Sequence, residues 1–146
     1  MRKIWNELIV EWTMAGAFVA LALAALPMTA MAQANPNATS TQTSTERGVT
    51  VKVTPKSIGS TDKHWEFAIV LDTHSAALND DLTQSATLTT DDGRTHKPVS
   101  WTGAPPGGHH REGVLTFDAS ATLPKTIELK IMRPGESAPR LFRWQL

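Results

Sequence analysis

Two short stretches of this 146-residue chain gather side chains that can do chemistry, and both read as strand ends. They are Asp72-Thr73-His74-Ser75 and Gly107-Gly108-His109-His110-Arg111. Imidazole and carboxylate are ligands for Cu(II) and Zn(II). His74, His109, His110 and Asp72 therefore form a candidate metal set, with Asp80 and Asp81 as further carboxylates in the following loop. Strand parity puts Asp72 and His74 on one face. His109 and His110 point apart in an extended strand, but Gly107 and Gly108 open backbone angles that let them converge.

The same residues admit two other uses. The backbone N–H groups of Gly107 and Gly108 can form an anion-binding nest, and Arg111 offers a planar fork to a carboxylate or phosphate. Alternatively the histidines only satisfy loop backbone, His74 and His109 tying two loops together while Arg111 pairs with Asp72 or Glu112. His64 and His96 fall at strand edges, where they are expected to face solvent.

Signals for catalysis are weak. No Gly-x-Ser-x-Gly and no P-loop appears, and tyrosine and cysteine are absent. The Asp80-Asp81 and Asp91-Asp92 pairs sit where turns want aspartate. A non-catalytic binding protein is expected, with no catalytic residue assigned.

The elements that must position these residues have a period of two. Val49, Val51 and Val53 alternate with polar residues up to Pro55, which is expected to stop the strand. Trp65, Phe67, Ile69 and Leu71 share one face of the next strand, which ends at Thr73-His74-Ser75. Ala76 to Leu82 is expected to hold a short helical turn capped by Ser75. Ser85–Thr90 and Arg94–Trp101 flank the hairpin signal Asp91-Asp92-Gly93. Glu112–Asp118, Thr126–Arg133 and Arg140–Leu146 complete about seven strands. This spacing predicts an all-β fold, an antiparallel immunoglobulin-like (Greek-key) β-sandwich, with a small closed barrel as second choice. Trp65, Trp101 and Trp144 fall at core parity.

Residues 1–34 read as a secretory signal peptide. Arg2 and Lys3 precede an uncharged apolar run from Trp12 to Leu26, and Ala-x-Ala sites end at Ala32 and Ala34. That run is short of the roughly 20 residues a membrane span needs. No cysteine follows it, so lipid attachment there is not expected. Removing the first 34 of 146 residues leaves 112, enough for one domain at 48–146. Residues 35–47, rich in Ser and Thr, read as a flexible linker with too little apolar surface to offset ordering entropy. Fourteen basic and fourteen acidic residues balance, which argues against nucleic acid and anionic membrane surfaces as partners. With no cysteine the core alone must hold the fold, and thiolate metal sites are ruled out.

The segments Trp65 through Asp72-Thr73-His74-Ser75, Trp101-Thr102-Gly103 and Gly107 through Phe117 resemble those of a group of small exported bacterial β-sandwich proteins. That group carries Asp-Thr-His-Ser at a strand end and Gly-Gly-His-His-Arg-x-Gly-Val-Leu-x-Phe further on. The resemblance covers Gly48 to Leu146. It implies the sandwich fold and export, draws attention to His74, His109 and His110, and implies no activity. Lipid anchoring is frequent in such proteins; lacking the leader cysteine, this chain is expected to be a soluble periplasmic or secreted form. The expected role is a non-catalytic binding module, metal-handling through Cu or Zn; the alternative is a structural or protein-interaction domain of the cell envelope, with an envelope protein as partner, whose histidines only brace loops.

Overall fold

Alternation of buried and exposed residues dictates two sheets that share one core. The computed structural model describes residues 35–75 and 77–146; the expected signal peptide lies outside them. The first sheet has the order β1-β2-β3-β7-β6, built from β1 (Gln42–Glu46), β2 (Val49–Ser57), β3 (His64–Thr73), β6 (Pro98–Gly103) and β7 (His110–Asp118). The second has the order β5-β4-β8-β9, from β4 (Ala86–Thr90), β5 (Thr95–His96), β8 (Thr126–Ile131) and β9 (Arg140–Gln145). Every pairing is antiparallel. The chain passes between sheets at β3–β4, β5–β6 and β7–β8, as sandwiches of this class do. No helix among the described residues is long and apolar enough to cross a membrane.

The core forms where the inner faces meet. Val51, Val53, Trp65, Phe67, Ile69, Leu71, Leu115 and Phe117 come from the first sheet; Ala86, Leu88, Ile127, Leu129, Ile131, Phe142 and Trp144 come from the second. Phe67 meets Phe117 edge-on, with ring centroids 5.7 Å apart, and lies at the same distance from Trp144 across the core. Such pairs add roughly 0.5–1.5 kcal/mol beyond burial.

The structure differs from the sequence reading in several places, each with a physical cause. Residues 35–47 are not a flexible linker. They form a 3-10 turn (Pro36–Thr39) and strand β1, held by polar contacts that an argument from apolar burial overlooks. The Trp144 indole donates to the Ser40 carbonyl at 2.7 Å, and Asn35 donates to Gln145 O at 3.1 Å. The Gln42 amide both accepts from Arg143 N–H at 3.1 Å and donates to the Arg143 carbonyl.

Pro55 does not end its strand. It lies beyond the last β1 pairing, at Val53, and beside a register shift, where a missing N–H is tolerated. The second half of the expected Asp-Asp-Gly hairpin breaks after His96, and the chain changes sheets at Pro98 to pair with β7. Val99 is consequently exposed, while Trp101 packs against the core. The helix is α1 (Leu82–Ser85), later than expected and capped by Asp81, whose side chain accepts from Thr83 N–H. His96 does not face solvent: its Nε2 is buried without a hydrogen-bond partner among the described residues, with Trp65 6.3 Å away ring to ring.

Candidate functional site

The register of β3 against β7 brings the two chemically distinctive stretches to one end of the sandwich. Asp72 pairs with His110 and Leu71 with Arg111. Neighbouring residues in a strand face opposite sides. Asp72 and His110 thus meet on the outer face, while Arg111 turns inward with Leu71. The outer pair is close: Asp72 Oδ1 lies 2.5 Å from His110 Nδ1, and His110 Nε2 lies 3.7 Å from Glu112 Oε2.

The Asp72 hydrogen bond raises the pKa of His110, against a smaller effect of desolvation, and the charges of Asp72 and Glu112 add to the rise. The contact therefore contributes stability that is fully present below the ordinary histidine value of about 6.5 and is lost as pH rises through the raised value. Asp72→Asn is expected to lower the His110 midpoint in an NMR titration and to flatten the dependence of Tm on pH across that window. An unchanged midpoint would mean that the two side chains do not meet in solution.

His74 and His109 are exposed, and neither imidazole takes part in a hydrogen bond or ion pair among the described residues. The tie between their loops is made by backbone, Thr73 N–H donating to the His109 carbonyl at 2.9 Å. Of the four residues of the metal set the structure brings Asp72 and His110 into contact. No group of three or more His, Cys, Asp or Glu among the described residues converges as metal ligands do.

The turn glycines are also engaged. Gly107 N–H donates to Leu78 O at 2.8 Å, and Gly108 O accepts from Leu78 N–H at 3.0 Å. Positive φ values of 117° and 68° make this double return possible, and glycine is the residue that adopts them freely.

Arg111 pairs with neither Asp72 nor Glu112. It is 1% exposed and donates through Nη1 to Leu78 O (3.1 Å) and Asp80 O (2.7 Å), and through Nε and Nη2 to Ala104 O. Its guanidinium lies 5.7 Å from the Trp101 ring, a cation–π distance. Room for that indole comes from Gly103 and Gly113, which face each other across β6 and β7; a Cβ at Gly113 would sit 2.7 Å from Trp101 Cζ2.

Beneath the same end runs a chain of buried ion pairs. Arg133 grips the fully buried Asp80 by Nε at 2.8 Å and by Nη2 at 3.0 Å, and its Nη1 reaches Glu136 at 3.3 Å. Arg140 binds Glu136 by Nε at 3.0 Å and by Nη2 at 2.5 Å. Its remaining donors reach the carbonyls of Ser44, Glu46 and Val49. The Arg140 hydrogen bond, with the charge of Arg133, holds the Glu136 carboxyl below the usual carboxylate range. Asp80 and Asp81, weighed above as metal ligands, are committed to Arg133 and to the α1 cap.

Comparison with family models, with curated proteins and with solved structures gives no match.

Sequence reasoning missed Arg133, Glu136 and Arg140, although parity held the signal. Arg133 continues the inward series Ile127, Leu129, Ile131, and Arg140 begins the inward series continued by Phe142 and Trp144. A fourth missed residue is Arg47. With Gly48 it forms the two-residue connection between β1 and β2, at φ 50° and 75°. That is the pattern of a type I′ turn, whose first position favours Asn, Asp or Gly. The left-handed conformation costs an ordinary residue about 1–2 kcal/mol.

Proposed function

We propose that this chain is an exported, non-catalytic binding module of the cell envelope, periplasmic or secreted, with the loop end of its sandwich as the working surface. One observation carries the reading. The most heavily hydrogen-bonded polar construction among the described residues, Asp80–Arg133–Glu136–Arg140 with Arg111 alongside, lies directly under that end. A sandwich that needed only to be closed there could use apolar side chains, since a buried ion-pair network is seldom the more stable choice. What such a network supplies is fixed geometry in the loops above it, as a recognition surface needs. The bracing role considered for the histidines thus belongs to the arginines. Membership in the group of small exported sandwich proteins forms part of the same proposal.

Because the chain has no cysteine, a single one can be introduced and labelled. The full chain carrying a short crosslinker at His74→Cys is expected to form a discrete adduct in its own envelope. The same label at Leu123→Cys, exposed in the β7–β8 connection at the opposite end, is expected to form none. Adducts from both positions alike, or from neither, would remove the loop end as the working surface.

A second reading, metal binding through Cu or Zn, is favoured by the Asp72–His110 contact. A carboxylate on one imidazole nitrogen orients the other toward a metal. His74 would have to swing in as a further ligand, with Glu112 or His109 completing the set. In a Zn(II) or Cu(II) titration this reading predicts about 10–100-fold weaker affinity for Asp72→Asn. Equal affinity for the native chain and a His74→Ala/His109→Ala/His110→Ala variant would dispose of it.

A further inference from the structure

We propose that the cleft below the β1–β2 hairpin binds a small oxyanion, a phosphate or a short carboxylate, between Arg47 and Arg133. The inference rests on the loop end being the working surface and gives that surface a ligand class.

The cleft has a volume of about 270 Å³, with Arg47, Asn79, Asp80, Arg133 and Glu136 contributing its polar lining. Charge is the first argument. Arg133 and Arg140 share two buried carboxylates, Asp80 and Glu136, while buried Arg111 meets only carbonyl oxygens and an indole face. One positive charge in this buried group therefore has no carboxylate partner among the described residues. Arg47, at the mouth, adds a second, for it makes no ion pair among the described residues. The adjacent Glu46 carboxylate accepts instead from Ser44 Oγ at 3.1 Å. An anion entering the cleft meets Arg47 and Arg133, while the two carboxylates of the lining, Asp80 and Glu136, are already held by Arg133 and Arg140.

Donor supply is the second argument. A guanidinium carries five N–H groups. Arg133 uses one on each nitrogen, so Nη1 and Nη2 each retain an N–H without a partner among the described residues. Arg47 offers a whole fork, the geometry that matches carboxylate and phosphate oxygens.

The backbone provides the third. Arg47 occupies a left-handed turn position better suited to asparagine or glycine, and it is the positive-φ non-glycine among the described residues. Strain kept at a residue that lines a cleft points to a use for its side chain.

The test titrates the full chain with inorganic phosphate and, separately, with succinate, by calorimetry at constant ionic strength. At least one is expected to bind with a dissociation constant of about 1 mM or below. The better ligand distinguishes a phosphate from a carboxylate site. Arg47→Gly is expected to weaken binding about tenfold while leaving Tm unchanged or higher, because glycine relieves the turn. A lost affinity cannot then be ascribed to misfolding. Arg47→Lys, a point charge without the fork, should fall between the two. Failure of both anions to bind the native chain, or an Arg47→Gly chain that binds as tightly as the native one, overturns the proposal. Either result is compatible with a persisting His74 adduct, so this ligand class can fail while the binding module stands.

Discussion

Asp80→Asn is expected to be among the most damaging conservative substitutions in this protein, lowering stability by about 3–5 kcal/mol. The side chain is fully buried and holds both Nε and Nη2 of Arg133, itself 8% exposed. Asparagine keeps the shape but removes the charge, leaving a guanidinium with part of its partner gone and no water to replace it. Losses of that size lower Tm by roughly 10 °C or more in a domain of this length. The double variant Asp80→Leu/Arg133→Met tests the cause. Removing both charges is expected to recover a large part of the loss, because replacing a whole buried pair by apolar groups is often neutral or better. Glu136 keeps Arg140 in that variant. A double variant no more stable than Asp80→Asn would show that the pair's charge is not the issue.

Arg111→Met is the second large effect, expected to cost about 3–5 kcal/mol in a urea titration. The residue sits on the inward face of β7, and its donors satisfy the carbonyls of Leu78, Asp80 and Ala104. Each buried acceptor left without a donor costs roughly 1–3 kcal/mol. Methionine fills comparable volume, so the loss reports the carbonyls rather than a cavity. Arg111→Lys should recover little, since one ammonium cannot span three carbonyls on two separate loops. The two loops are expected to show faster amide exchange at Leu78 and Gly107, whose backbone groups bond to each other. A variant within about 1 kcal/mol of the native protein would return Arg111 to the surface role that sequence reasoning gave it.

The architecture was legible because burial on one side of a strand leaves a mark every second residue. Val49 to Val53, Trp65 to Leu71 and Ile127 to Ile131 all fall on the inner face as their alternation requires. The shared rim was legible as well, since Asp72 and His110 end adjacent strands. Parity also fits the inward positions of Arg111, Arg133 and Arg140, but the sequence reading gave Arg111 an outward partner and passed over the other two. The partners in the structure lie 31 residues away for Arg111 and Asp80, and 53 for Arg133 and Asp80. No local rule links those two pairs, although Glu136 lies three residues from Arg133 and four from Arg140.

The N-terminal segment shows the opposite limit. Its order rests on the β1–β2 ladder and on hydrogen bonds that Asn35, Ser40 and Gln42 share with β9, and composition counts apolar surface instead. The helix starts at Leu82, six residues later than expected, for a related reason. Ser75 and Asp81 are both acceptable caps, and only the Leu78 contacts with the glycine turn, which hold the intervening chain, decide between them.

The Gln42 amide has one more consequence. β9 borders its sheet, and a bordering strand offers a row of bare donors and acceptors on which a strand from another molecule can template. At Arg143 both positions of that row are already taken by one side chain acting as a short surrogate for a neighbouring strand. Gln42 thereby works as a stopper against fibre-like growth at a border where Leu141 alone would invite it.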